Sequence, residues 1–155
     1  MAATTTAFSN LLSKLKTDFP HITFQSGEAF RWSPSNATVF YTPTSDRVSL
    51  LHEVAHAVLG HTDYTHDLEL LRLERDAWTK AIELGRAYAV QVPVTHAEDA
   101  LDTYRDWLHA RSLCPVCNHA GVQAAVGTYQ CVICEQSWRP NDARTCGLRR
   151  HLIDQ

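Results

Sequence analysis

Leu50-Leu51-His52-Glu53-Val54-Ala55-His56-Ala57-Val58-Leu59-Gly60-His61 sets the frame for the whole chain. Leu50, Leu51, Ala55, Val58 and Leu59 make this segment a largely apolar, buried helix. Ser45 or Asp46 supplies a cap for a helix from Arg47 to Leu59, and Gly60 stands where such a helix stops. His52 and His56 are four residues apart, so their imidazoles leave the same face about one turn apart. Buried imidazole nitrogens need partners, and one metal ion serves both rings. Glu53 is offset by one residue, so its carboxylate reaches a water on that ion without ligating it. The H-E-x-x-H spacing therefore predicts a Zn²⁺-bound water with Glu53 as its general base.

A catalytic zinc needs a third protein ligand and an open position. His61, Asp63 and His66 follow at short range, and Glu69, Glu74, Asp76 and Glu83 lie further on. The metzincin spacing wants Gly three residues after the second His and a His or Asp three later. Leu59 and Thr62 occupy those places, and Gly60 comes one residue late. A return from the next helix is the better route. Glu74 is favoured there because Ala77 and Ala81 are small enough for close helix contact beneath the metal. His61 is expected behind a ligand or at the rim. His61, Tyr64 and His66 are the candidates for steadying an oxyanion.

Around this helix the chain reads as α+β. Phe8, Leu11, Leu12 and Leu15 recur at helical spacing and end near Asp18-Phe19-Pro20. Strands are expected around Ile22–Phe24, over Ala29–Trp32 and over Thr38–Tyr41, forming a small antiparallel sheet packed on a zincin-like helical core. Pro43-Thr44-Ser45-Asp46 closes the sheet. A longer helix is expected over Asp67–Ala89, locally weakened by Gly85 and ended by Pro93. Thr95 to Glu98 has capping-box spacing for a third core helix over about residues 96–109.

Cys114-Pro115-Val116-Cys117 and Cys131-Val132-Ile133-Cys134 are two C-x-x-C knuckles with 13 residues between them. Paired knuckles at this spacing predict a tetrahedral, closed, structural zinc site in a zinc ribbon. Val122–Val126 and Thr128–Gln130 are its expected strands, and Trp138 covers one side. Cys146, the odd cysteine, reads as a free, partly buried thiol, and His119 as a loop residue. The division expected is residues 1–109 for a metallopeptidase-like domain, 110–146 for the ribbon and 147–155 for a solvated tail.

Of 155 residues, 45% are hydrophobic and 20% charged, which suits a folded domain rather than a disordered chain. Lys and Arg number 14 against 17 Asp and Glu, which excludes coating nucleic acid by bulk charge. Arg111, Arg139, Arg144, Arg149 and Arg150 make the last third mildly basic, and Tyr129 and Trp138 lie among them. A nucleic-acid contact through the ribbon is thus weighed against a protein contact or support of the catalytic domain. No apolar run is long enough for a membrane span, and the N-terminus lacks a secretory pattern. The expected location is cytoplasmic, where thiols stay reduced.

Leu51 to His61 resembles the active helix of ImmA/IrrE-type metallopeptidases, and Leu73-Glu74-Arg75-Asp76-Ala77-Trp78 resembles the helix carrying their acidic third ligand. Val39-Phe40-Tyr41 stands where that family has a sheet edge. The resemblance covers about residues 20–90. It implies a gluzincin-like domain with zinc on His52, His56 and Glu74, Glu53 as general base, and a restricted protein substrate, often a transcriptional repressor. With the ribbon, two zinc ions are expected. The competing expectation is a non-catalytic, zinc-stabilised regulatory or DNA-associated binding protein on the same scaffold.

Overall fold

A computed structural model describes residues 2–43, 46–144 and 146–153. The chain is α+β, with packed helices and two small sheets. It divides into two compact units, residues 1–62 with 75–97 and residues 63–74 with 98–155. Among the described residues, no helix is long and apolar enough to cross a membrane.

The first unit opens with α1 (Ala2–Asp18), which buries Phe8, Leu11 and Leu15. Three short strands follow: β1 (Thr23–Ser26), β2 (Arg31–Ser33) and β3 (Thr38–Tyr41). The expectation of an antiparallel sheet needs correction. β3 lies in the middle, antiparallel to β2 but parallel to β1, Thr23 standing opposite Thr38. The reason is the route of the chain, which passes through β2 and a 3-10 turn at Pro34–Asn36 before β3 enters the centre. Thr38 and Val39 are buried there, and a central position gives their backbone partners on both sides.

α2 (Arg47–Leu59) packs on β2 and β3 and buries Leu50, Leu51, His52, Val54 and Ala55. Its ends are chemically fixed. Asp46 accepts from the Ser49 N–H at 2.9 Å and so caps the start; Ser45 lies outside the described residues. At the other end Gly60 has φ 65°, its N–H bonds the Ala57 carbonyl, and the His61 N–H bonds the His56 carbonyl at 3.0 Å. These two bonds form a Schellman turn, which needs the left-handed conformation that glycine adopts without strain.

α3 (Asp67–Ala87) runs through Gly85 and stops two residues before the expected Ala89, whose φ is 55°. Asp67, Leu70, Glu74, Ala77, Trp78, Ala81 and Leu84 are all buried. Leaving aside Trp78, which stands beside Ala77, they recur at alternating spacings of three and four, one stripe along the helix. Two members of that stripe are acids. α4 (Val94–Ser112) begins before the expected position, so Thr95 lies inside the helix instead of capping it, and the Ala97 N–H bonds the Pro93 carbonyl.

The second unit holds a four-stranded antiparallel sheet: β4 (Gly121–Ala125), β5 (Thr128–Cys131), β6 (Ser137–Pro140) and β7 (Arg150–Ile153), in that order. Arg150–Ile153, read from the sequence as tail, pairs with Ser137–Pro140. Trp138 is fully buried against Cys114, Tyr129 and Cys131. Gly121 permits this packing, since a Cβ there would lie 2.4 Å from the Trp138 ring and 2.5 Å from the Gln130 carbonyl. Asp67 anchors the start of α3 in the same unit. Its carboxylate accepts from Arg111 Nε at 2.8 Å and from the Tyr129 hydroxyl at 2.7 Å, with Asp67 and Arg111 both buried. Burial and the neighbouring Asp67 hold the Tyr129 phenol far above its ordinary pKa. Arg111 therefore belongs to the interior and not to the basic surface read from the sequence.

Removing one partner of a buried pair leaves the other charge uncompensated, at a cost of about 3–5 kcal/mol. Arg111→Met should lower unfolding stability by about that amount in urea titration, whereas Arg105→Met, which breaks exposed, solvent-screened pairs with Glu98 and Asp102, should leave the urea midpoint nearly unchanged.

Candidate metal centres

Among the described residues, two groups of side chains converge closely enough to hold a metal ion: His52, His56 and Glu74, and the four knuckle cysteines. In each group the ligand atoms all lie within 4.8 Å of one another.

The first group is built by α2 and α3. His52 and His56 project from one face of α2 with their Nε2 atoms 3.1 Å apart. The rings stand edge to face, centroids 4.7 Å apart. Two nitrogens on a tetrahedral zinc, each at about 2.0–2.1 Å, would be about 3.3 Å apart, so the pair is already at metal-binding separation. Glu74 is the second acid in the buried stripe of α3. A buried carboxylate calls for positive charge. Asp67 meets Arg111, and Glu74 meets two imidazoles poised for a cation. Of the acids considered from the sequence, Glu74 is the one in this cluster. Asp63 is exposed, Glu69 accepts from the Thr65 and His66 N–H groups, Asp76 pairs with Arg75, and Glu83 pairs with Lys80. Ala77 and Ala81, the small residues noted beside Glu74, have no exposed surface.

Three surrounding contacts shape this group. The His52 ring stacks on Trp78 at 4.1 Å, with 25° between the planes. His61 is brought back over the end of α2 by the Gly60 turn, and its Nδ1 lies 2.9 Å from His56 Nδ1. Were Nε2 of His56 to ligate a metal ion, its Nδ1 would carry the proton and donate to His61 Nδ1, which would fix the tautomer. Glu53 is held by β2: its Oε2 accepts from the Trp32 N–H at 2.7 Å, and the Trp32 indole donates to the His61 carbonyl at 2.8 Å. Sequence reasoning missed Trp32 and Trp78. Trp78 figured only as the last residue of the stretch that resembles a third-ligand helix, and nothing in local spacing ties Trp32 to a carboxylate 21 residues later. The remaining oxyanion candidates are differently occupied, Tyr64 being exposed and His66 bonding its neighbour Thr65.

The second group repeats one local design twice. Asn118 and Glu135, each directly after the second cysteine of a knuckle, have φ 59° and 62°. The Cys114 and Cys131 N–H groups bond the carbonyls of His119 and Gln136, five residues on in each case. Sγ of Cys114 lies 3.6 Å from that of Cys134, and Sγ of Cys117 lies 3.4 Å from that of Cys131. Four thiolates at about 2.3 Å from a tetrahedral zinc would stand about 3.8 Å apart, close to these values. Val116 N–H points at Cys114, and the Ile133 and Cys134 N–H groups point at Cys131. The Cys134 N–H, with help from Ile133, holds the Cys131 thiol down to about 6. His119 faces the Cys117 carbonyl. Cys146 corrects the expectation of a partly buried thiol, because it is exposed.

Comparison with protein-family models, curated proteins and solved structures returned no match. The chain is therefore characterised by two ligand clusters that could each coordinate a metal ion, consistent with a zinc-binding protein. The stacking platform considered for nucleic acid is not at the surface: Tyr129 and Trp138 are buried, and Arg144 lies over the Tyr104 and Trp107 rings.

The ligand sets predict two zinc ions per chain by elemental analysis after gel filtration. Cys117→Ser should remove the ion at the knuckles and loosen the second unit, while His56→Ala should remove the other and leave the knuckle ion in place. Gly60→Val forces a branched side chain to φ 65°. It should destabilise the protein by about 1–2 kcal/mol in thermal unfolding and weaken zinc at the histidines by about tenfold through misplacement of His61.

Proposed function

We propose that this chain is a zinc-dependent endopeptidase that cleaves a restricted protein substrate. The observation that carries the reading is the convergence of His52, His56 and Glu74 with Glu53 adjacent in sequence but held on Trp32. This arrangement separates three ligands from one carboxylate kept for proton transfer. The resemblance to ImmA/IrrE-type metallopeptidases supports the same division of roles.

A zinc ion on the three ligands would polarise a peptide carbonyl and lower the pKa of a bound water. Glu53 takes the proton of the attacking water and delivers it to the departing amine. The Trp32 N–H sets the orientation of the Glu53 carboxylate for both transfers. His61 Nδ1 accepts a hydrogen bond from the His56 Nδ1–H and so keeps Nε2 directed at the ligand cluster. Trp78 closes one face of His52 and excludes water from that side. The four-cysteine cluster offers no open position and serves as a structural zinc site in a ribbon. A reducing compartment such as the cytoplasm keeps its thiols available.

The test is Glu53→Gln in the zinc-loaded, full-length protein, assayed on unfolded protein substrates and a denatured bacterial repressor pool. Hydrolysis should fall by about 100- to 10,000-fold, with both zinc ions retained by elemental analysis. A variant that keeps both the zinc and the full biological effect would favour the non-catalytic regulatory reading.

A further inference from the structure

The second unit carries a groove that the histidine cluster does not use. It has a volume of about 530 Å³. Leu68 and Arg72 of α3, Leu108 of α4, Val122 and Gln123 of β4, and Tyr129 of β5 line it. The walls are mostly apolar, and two apolar side chains at its mouth stand in water, Leu68 at 49% and Val122 at 56% exposure.

Three observations define what fits. First, β4 is an outer strand. It pairs with β5 along one side; Leu113 bridges Ala120 just before the strand begins, and over Gly121–Ala125 no other described strand lies along its other side. An outer strand presents a row of main-chain donors and acceptors to any extended chain laid beside it. Ala124 lies at the irregularity between Gln123 and Ala125, where the β5 pairing shifts register. Second, Arg72 is exposed and, among the described residues, has no acidic partner, whereas Arg75, Lys80, Arg105 and Arg111 each have one. Third, the neighbouring acid is already engaged: Glu69 accepts from the Thr65 and His66 N–H groups, which hold its pKa below the ordinary value. The groove thus offers apolar walls, an open strand edge and one uncommitted guanidinium.

We propose that this groove is a docking site for an extended polypeptide segment with apolar side chains and one carboxylate. The segment runs along β4 by main-chain hydrogen bonding, sets apolar side chains against Leu68, Leu108 and Val122, and pairs its carboxylate with Arg72. The docking rests on the second unit alone. Only the identification of the segment as part of a substrate rests on the peptidase reading. The strand edge is what selects a polypeptide over a fatty acid, which would satisfy the walls and Arg72 but not the main-chain groups.

The experiment uses the full-length, zinc-loaded Glu53→Gln protein, so that binding is read without turnover. The probe is a blocked, fluorescein-labelled peptide of alternating valine and threonine with one central aspartate, followed by fluorescence anisotropy. Saturable binding is expected. Arg72→Glu should weaken it by about tenfold and should bind the version with lysine in place of aspartate better than the parent does. Leu68→Asp should weaken both versions, and Arg139→Glu, an equal charge change outside the groove, should alter neither. The proposal falls if the peptide shows no saturable binding, or if Arg139→Glu matches the loss of Arg72→Glu. It also falls if decanoate or a single-stranded oligonucleotide binds in the Arg72-dependent manner while the peptide does not, or if sedimentation shows the groove filled by a second copy of the chain. Peptide binding by a protein whose Glu53 form hydrolyses nothing would leave the docking site standing and remove the peptidase reading. Hydrolysis without peptide binding would do the reverse.

Discussion

A carboxylate buried at the start of a helix must meet positive charge, and Asp67 meets Arg111. The pair is shielded from water and completed by the Tyr129 hydroxyl, while Arg111 also donates to the Asn141 carbonyl and the Trp138 indole donates to the Arg111 carbonyl. One ion pair therefore ties the first turn of α3, the last turn of α4 and the sheet around the cysteines. Desolvation makes such a pair costly to form and more costly to break by halves. Its contribution lies less in net stability than in fixing a single arrangement of these elements, since any alternative packing would strand one charge.

The histidine cluster shows the same economy of local structure and chemistry. The bonds that end α2 at Gly60 also return His61 to the side of His56. The strand that covers α2 supplies the N–H that holds Glu53. Helix termination, sheet packing and ligand orientation are therefore not separable here. A change at the turn acts on the imidazoles although it touches neither.

Local signals in the sequence were strong where a few consecutive residues decide the outcome. α2 begins and ends at the expected residues because its cap and its turn glycine are both adjacent to it. The knuckles are equally local, since each is one short loop repeated. The parallel pairing of β1 with β3 was hidden, because neither strand says which neighbour it will choose once a third strand intervenes. β7 was hidden for a related reason: the charged run Arg149-Arg150-His151 reads as a solvated tail, and only the pairing of Arg150–Ile153 with β6 makes it a strand. Asp67 looked like an ordinary acid in the first turn of a helix, because its partner lies 44 residues away. Glu74 could be favoured from its small neighbours, but the stripe of buried positions that it shares with Asp67 became visible only with burial in hand.

That stripe has a consequence for how the chain tolerates length changes. Asp67 and Glu74 are seven residues apart, close to two full turns of α-helix, so the two acids keep a common bearing. Adding or deleting one residue between them would swing one acid about 100° from the other and shift it about 1.5 Å along the axis. Either the guanidinium or the imidazoles would then lose their carboxylate. The helix acts as a gauge block with two marks, and substitution on its outer face is far better tolerated than any slip in its count.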